Sequence, residues 1–181
     1  MGKGGKGMLE FNVDKITIPL KQHVGGPCQA IVSVGDHVKR GQLVATPNGL
    51  GANIHTSLSG VVESVDEMNI VVKLDKEQSD DYVKLEPTDD HLQRIKDAGI
   101  VGVGGAGFPT GIKLSAQIPG GYVIANAAEC EPVLGHNVRY MEEHPEELVR
   151  GLKYILKLTG AKEGYIAIKT KYRKALLALG K

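Results

Sequence analysis

The chain has 181 residues, of which 41% are hydrophobic and 24% charged, and its formal net charge is +1. This composition is typical of a globular protein that is long enough for one large or two small domains. It offers no basic surface for nucleic acid, and no apolar run reaches the roughly 20 residues that span a bilayer.

Residues that usually bind metals or form disulfides are few. Cys28 and Cys130 are far apart and form no CxxC motif, which favours two reduced thiols in the cytoplasm and excludes a cysteine-ligated iron–sulfur cluster within this chain. The histidines lack the spacing of a zinc site, so no metal is expected.

Cys28 follows two glycines and a proline, which predicts a turn with an exposed thiol. An inert small residue is the favoured interpretation, and a redox-active thiol is the alternative.

The first part of the chain is predicted to be a β-domain. Residues 1–9 are interpreted as a disordered or tag-like terminus, and residues 10–87 as the domain itself. Short runs rich in valine and isoleucine, separated by turn residues, predict strands at 16–20, 30–34, 42–45, 60–65 and 70–74. This spacing predicts a small antiparallel barrel or sandwich. The polar segment 78–90 predicts an edge strand followed by a linker.

Two segments of this β-domain resemble a known carrier module. VSVGDHVKRGQLVA (32–45) and SLSGVVESV (57–65) resemble the barrel-sandwich hybrid of biotinyl and lipoyl carrier domains. A carrier presents a lysine on the hairpin between these halves, whereas residues 41–72 contain no lysine. A packing or docking domain is therefore expected rather than a swinging-arm carrier, and His55 is expected on the hairpin surface.

From residue 88 onward the pattern changes to alternating helices and strands. Aspartates before residue 91 and Gly99 after it predict a helix at 91–98. A strand at 120–125, a helix from about 144 to 160, a strand at 165–169 and a helix at 172–179 follow. This order predicts a parallel, Rossmann-like α/β sheet. Two strands are too few for a complete sheet, so residues 88–181 are interpreted as the N-terminal part of a truncated domain.

A glycine-rich loop, GIVGVGGAGFPTGIK (99–113), precedes the first of these strands. It formally contains GxGxxG, but a helix comes before it and Pro109 comes after it, so the dinucleotide fingerprint is rejected. Glycines allow backbone N–H groups to approach a flat or anionic ligand, and Lys113 falls where its ammonium group can reach the same anion. A flexible connector is the alternative, which the apolar Val101, Val103 and Phe108 disfavour.

A second motif, NAAECEP (126–132), directly follows the predicted strand at 120–125. Residues at the carboxyl end of a parallel strand lie where ligands bind in α/β folds. Asn126 offers an amide, and Glu129 and Glu131 offer carboxylates that accept hydrogen bonds from a ribose or a nicotinamide amide. Ordinary surface acids are the alternative interpretation.

Together, GVGGAGFPTGIK (102–113) and NAAECEP (126–132) resemble the flavin-bearing, NADH-oxidising subunit of respiratory complex I. The C subunit of the Rnf electron-transport complex and the proline-reductase-associated electron-transfer protein are similar, and both also carry segments like 20–45 and 55–65. The chain is identified as a member of this family. GLGANIH (49–55) favours the proline-reductase-associated branch.

The resemblance implies an electron-transfer function. NADH would give hydride to FMN, and electrons would pass to iron–sulfur clusters and then to a protein partner, either proline reductase or the membrane Rnf subunits. It places the protein in the cytoplasm or at the inner face of the cell membrane, without insertion. The expected cofactor-binding residues are Gly102, Gly104, Gly105, Lys113, Asn126, Glu129 and Glu131, with Glu131 also catalytic and Phe108 stacking on the NADH adenine.

The resemblance also carries expectations about this fragment. In the family, the second flavin-contacting loop and the cluster cysteines follow the segment that ends at Lys181. The fragment alone is therefore expected to lack flavin, to be inactive and to self-associate through its α/β half. Two alternatives remain open: a docking or assembly module that binds no flavin, and a redox subunit with another acceptor, such as a cobalamin reductase.

Overall fold

The computed structural model describes residues 13–102, 105–130 and 135–180, in two compact units. The first unit is Met1–Gly111 and the second is Ile112–Lys181. The sequence-based boundary at residues 87 and 88 marks a change in local structure. The division by packing lies later, because the helix at 91–97 and the described part of the glycine loop up to Gly111 belong to the first unit.

The described residues of the first unit form seven strands in two antiparallel sheets. One sheet has the order β1-β7-β6-β3 and the other β2-β4-β5. The strands are β1 (Lys15–Pro19), β2 (Gln29–Ala30), β3 (His37–Val38), β4 (Leu43–Thr46), β5 (Ile54–His55), β6 (Gly60–Val65) and β7 (Asn69–Leu74). Both sheets contribute to one core, in which Val38, Val44, Ala45, Ile70 and Val72 are fully buried. The antiparallel β-domain is confirmed as a sandwich of two sheets rather than a closed barrel.

The predicted strand at 30–34 is wrong in its extent. Ile31 N–H donates to Val44 O in one sheet, whereas Gly35 N–H donates to Val62 O in the other. The chain therefore crosses between the sheets over these residues, and only β2 at its start is a strand. The two-residue strands β3 and β5 were not predicted, because a pair of residues carries no periodic pattern.

Helix α1 (His91–Asp97) is the last long element of the first unit. The Asp90 side chain caps it by accepting a hydrogen bond from Gln93 N–H at 2.9 Å, and Gly99, with φ +65°, ends it. The helix predicted at 91–98 is confirmed. Between β7 and α1, residues 76–84 form no helix or strand and are exposed, which fits the predicted linker but not the predicted edge strand.

The second unit contains two parallel strands, β8 (Tyr122–Asn126) and β9 (Glu163–Ala167), paired in register along their length. The helices are α3 (His136–Glu143), α4 (Pro145–Thr159) and α5 (Arg173–Leu179), after the single turn α2 (Thr110–Lys113), where the chain passes from one unit to the other. Pro145 and two glutamates begin α4, and Gly160 ends it in the left-handed conformation. The alternation and the parallel pairing are confirmed. A Rossmann-like sheet is not, because the described residues form only these two parallel strands.

Among the described residues, no helix combines the length and the apolar character needed to cross a bilayer.

Candidate functional site

The glycine loop of the first unit is closed at its base by backbone hydrogen bonds. Gly102 N–H donates to Phe108 O at 3.0 Å, and Thr110 N–H donates to Ile100 O at 2.8 Å. Val101 and Pro109 form an antiparallel bridge between them. These cross-links hold the described residues at the base of the loop, 100–102 and 108–110, in a defined conformation, which disfavours a flexible connector there.

The described glycines at the tip leave room for a ligand. A Cβ added to Gly105 would meet no atom within 4 Å, and one added to Gly102 would meet its nearest neighbours at 3.8 Å. Phe108 is exposed by 39%, so part of its ring is accessible for stacking. Of the predicted loop residues, Gly104 lies outside the described residues.

Lys113 is the last residue of α2 and its side chain is exposed. Because α2 has only four residues, it provides no extended helix dipole for a phosphate. The feature of α2 that can attract an anion is therefore the Lys113 ammonium group. The binding role of Lys113 stays a prediction.

In the second unit, the described residues of the predicted strand-end motif, 126–130, are held by hydrogen bonds at Asn126 and Glu129. Asn126 is exposed, and its Oδ1 accepts from Ala128 N–H at 3.2 Å. Glu129 is buried, and its Oε2 accepts from Asn137 Nδ2 at 2.9 Å. Lys169 Nζ donates to Glu129 O at 2.5 Å. Residues 126–130 are thus held by specific hydrogen bonds, and the buried Glu129 is not an ordinary surface acid.

These contacts bear on the predicted ligands. The Glu129 carboxylate is engaged with α3, so its role includes holding the turn. Its contact with a cofactor stays a prediction. Glu131, the predicted catalytic residue, lies outside the described residues. Asn137 and Lys169 were missed by sequence reasoning, although Lys169 follows the carboxyl end of β9 and therefore meets the criterion that selected Asn126.

Cys28 is buried in the first unit, so the prediction of an exposed thiol is wrong. Its Sγ lies 3.2 Å from His23 Nε2 and donates to Ala52 O at 3.3 Å. Burial raises the pKa of the Cys28 thiol, which favours the uncharged form over the thiolate. Cys130, in contrast, is exposed.

FMN carries a flat ring, a polar ribityl chain and a phosphate. The first unit offers open glycine backbone at Gly105, and the second offers a cation at Lys113 and an amide at Asn126. Taken by itself, each unit therefore offers groups of the kind that such a cofactor binds.

Comparison with known proteins separates the chain into two family segments. The model of the RnfC barrel sandwich hybrid domain matches residues 10–84, and the model of the Nuo51 FMN-binding domain matches residues 95–181. The first match covers the β-sandwich, and the second begins within α1 and covers the glycine loop and everything that follows it.

Curated relatives align with nearly the whole chain. The C subunit of the proton-translocating ferredoxin:NAD(+) oxidoreductase complex of Clostridium ljungdahlii is 35% identical over 93% of this chain. The C subunit of the Na(+)-translocating complex of Acetobacterium woodii is 37% identical over 93%, and that of the ion-translocating oxidoreductase complex of Serratia proteamaculans is 33% identical over 92%. The chain spans 41%, 42% and 26% of the length of these relatives, in that order.

The chain therefore joins a barrel-sandwich hybrid domain to an FMN-binding domain of the complex I type. Its two segments match the RnfC barrel sandwich hybrid and Nuo51 FMN-binding domains, and over nine tenths of its length the chain is similar to C subunits of Rnf complexes, as the sequence motifs indicated.

Proposed function

We propose that the full-length protein takes electrons from NADH through FMN and passes them, by way of iron–sulfur clusters, to a partner protein. The main support is that the FMN-binding family match at 95–181 contains both predicted motifs, the glycine loop and the strand-end turn. The names of two relatives give ferredoxin and NAD(+) as their redox pair, which supports NAD(H) as the nicotinamide substrate.

The proposed roles are those that the resemblance to the flavin site of complex I implies, and each is compatible with the chemistry of its residue. Bound FMN supplies the hydride acceptor and the means of passing electrons on singly. Backbone N–H groups at Gly102, Gly104 and Gly105 line the flavin and its phosphate, and Lys113 contacts the phosphate as a point charge.

The strand-end turn serves the rest of the cofactor and the substrate. Asn126 binds the ribityl or phosphate side through its amide. Glu129 and Glu131 lie near the flavin ring and the nicotinamide, where Glu131 orients the group that gives hydride. Phe108 stacks on the adenine of NADH. Asn137 and Lys169 hold the turn in shape through Glu129.

The acceptor is proposed to be an ion-translocating membrane complex of the Rnf type. The relatives are named as subunits of such complexes, so other Rnf subunits are plausible partners at the inner face of the membrane. A cytoplasmic proline reductase is the other proposed acceptor, supported by GLGANIH (49–55) alone.

The visible spectrum of the full-length protein tests the proposed function. After reconstitution with FMN, the protein should show flavin absorption with an iron–sulfur shoulder, and anaerobic NADH should bleach the flavin bands. A folded protein that stays colourless after reconstitution would contradict the proposal and favour the docking module. A flavin that binds but is not reduced by NADH would contradict the choice of donor.

A further inference from the structure

We propose that the β-sandwich holds the glycine loop in its binding shape, and that His23 is the positioning residue that fixes the two sandwich segments on which the loop rests. This inference rests on the proposed flavin function. It assigns a role to two motifs that the site has not used, HVGGPC (23–28) and GLGANIH (49–55).

The two ends of the glycine loop press against different sandwich segments. A Cβ at Gly99 would lie 2.1 Å from Asn53 O, and a Cβ at Gly107 would lie 2.9 Å from both Gln22 O and His23 Cα. Both glycines have positive φ, +65° and +66°. Backbone therefore touches backbone at each end, and no side chain fits between the loop and its support.

His23 joins these two supporting segments. Its Nε2 accepts a hydrogen bond from Ala52 N–H at 3.2 Å, so the ring proton is assigned to Nδ1, which lies 3.0 Å from Val24 O. His23 is itself buried. A Cβ at Gly51 would lie 2.6 Å from its Cε1, so the segment that supports Gly99 closes directly over the imidazole.

Cys28 completes the link, since its thiol donates to Ala52 O while its sulfur touches His23 Nε2. The N–H and the C=O of Ala52 are thus both satisfied by the 23–28 segment. A buried N–H without an acceptor lowers the stability of the folded state. Removal of the imidazole should therefore displace residues 51–53, which include the Asn53 backbone that supports Gly99.

Two further side chains fix the end of α1, directly before Gly99. Asn53 Nδ2 donates to Asp97 O at 3.3 Å, and His55 Nε2 lies 2.9 Å from the same oxygen. His55 Nδ1 lies 3.0 Å from Gly41 O, so this imidazole bridges α1 and the turn before β4. The expectation of His55 as a plain surface residue is thereby wrong.

A scaffold of this kind matters for binding because glycine loses more backbone freedom than other residues when it is ordered. A loop that is already ordered before the ligand arrives does not spend binding free energy on ordering. The sandwich thus acts on flavin affinity without contact with the flavin.

The test compares His23→Leu with His23→Gln in the full-length protein. Leucine removes the acceptor at Nε2, whereas the Gln Oε1 can accept from Ala52 N–H. His37→Leu is the control, because His37 pairs with Asp75 elsewhere on the sandwich. Two quantities are measured: hydrogen exchange of the Gly102 and Thr110 amides, and the dissociation constant of FMN by calorimetry.

His23→Leu should raise exchange at both amides by about tenfold or more and weaken FMN by about tenfold, which corresponds to about 1.4 kcal/mol. Exchange at Val62 and Val72 in the core strands should be little changed. His23→Gln should recover most of both effects, and His37→Leu should show neither. Unchanged exchange at Gly102 and Thr110 in folded His23→Leu would overturn the inference. So would an equal rise in the core strands, which would indicate general destabilisation.

The outcomes separate this inference from the proposed function. A wild-type protein that binds no FMN defeats the proposed function, while the exchange data still decide whether His23 holds the loop. If His23→Leu does not fold, Asn53→Ala is used, since it removes a tie to Asp97 O at the surface of the sandwich. It should raise exchange at Thr110 by about threefold to tenfold, and an unchanged rate would overturn the inference.

Discussion

The two units differ in how completely they bury their apolar residues. In the first unit, both sheets enclose one continuous aliphatic core in which Val38, Val44, Ala45, Ile70 and Val72 are 0% exposed. In the second unit, β8 and β9 leave Tyr122, Ile124 and Tyr165 exposed by 50% or more. The difference teaches that the first unit is stabilised chiefly by its own packing, whereas the strands of the second present an apolar surface of the kind that association buries.

Matched isoleucine truncations test this comparison and carry the largest expected effect. Ile70 in β7 is 0% exposed and Ile124 in β8 is 65% exposed. Ile70→Ala should lower the free energy of unfolding by about 2–5 kcal/mol because it leaves a cavity in the core. Ile124→Ala should change it by less than about 0.5 kcal/mol. Denaturant titration of both variants measures this, and equal losses would show that the second strand pair is covered in solution.

Substitution of Lys113 tests whether the second unit contributes to FMN binding. If Lys113 contacts the flavin phosphate, Lys113→Ala should weaken FMN binding to the full-length protein by about 1.5–3 kcal/mol, the range for hydrogen bonds to charged groups. Lys153→Ala, an exposed lysine on α4, is the control. Calorimetry measures both, and a dissociation constant unchanged by Lys113→Ala would remove Lys113 from the site.

Substitution of Glu131 tests whether this residue contributes to hydride transfer or to folding stability. A carboxylate beside the nicotinamide should matter for hydride transfer more than for folding, so Glu131→Gln should slow NADH-dependent flavin reduction by about tenfold, or 1.4 kcal/mol. The melting temperature should hardly change. Stopped-flow reduction and thermal unfolding are compared with Glu143→Gln, an exposed acid paired with Arg139. A large loss of stability with normal reduction per folded molecule would make Glu131 structural.

Limited proteolysis tests where the sandwich ends. The first residues of the predicted linker at 78–90 are hydrogen-bonded to the sandwich. Gln78 Oε1 accepts from Ser59 N–H, and Val83 N–H donates to Arg40 O. Trypsin should therefore cut first after the exposed Lys84, because cleavage needs a freely accessible backbone. Mass spectrometry of early fragments identifies the site. First cuts within 100–113 would show that the glycine loop is less ordered than its hydrogen bonds indicate.

The reactivity of the two cysteines compares the units with the smallest expected effect. Cys130 is exposed, whereas burial raises the pKa of Cys28 and lowers its thiolate fraction at mildly alkaline pH. Iodoacetamide should modify Cys130 readily and Cys28 only after denaturation, as peptide mapping would show. Equal rates in the native protein would contradict the burial of Cys28.

The sequence predicted the elements that carry strong periodicity and clear end signals. The strand at 60–65 is reproduced as β6, and α4 begins at Pro145 and ends before Gly160 as expected. The crossing of the chain between sheets at 31–35 and the inward-facing Cys28 were not predictable. Both depend on contacts with residues distant in sequence, Val44 and Val62 in one case and Ala52 in the other.

For the candidate site, the sequence indicated which residues to consider, but not the residues that hold them in place. Asn126 and the glycine loop were selected as candidates because turn chemistry and strand ends are visible in a local pattern. Asn137 and Lys169 act on Glu129 across 8 and 40 residues, and His23 acts on Ala52 across 29. No local pattern reports such long-range hydrogen bonds.

Calorimetric titration of the reduced, full-length apoprotein with FMN tests the central claim most directly. The account predicts one site per chain with a dissociation constant of roughly micromolar or tighter, about 8 kcal/mol or more of binding free energy. It also predicts that riboflavin, which lacks the phosphate, binds more weakly. A folded apoprotein that takes up no FMN would contradict the account, and so would one that binds riboflavin equally well.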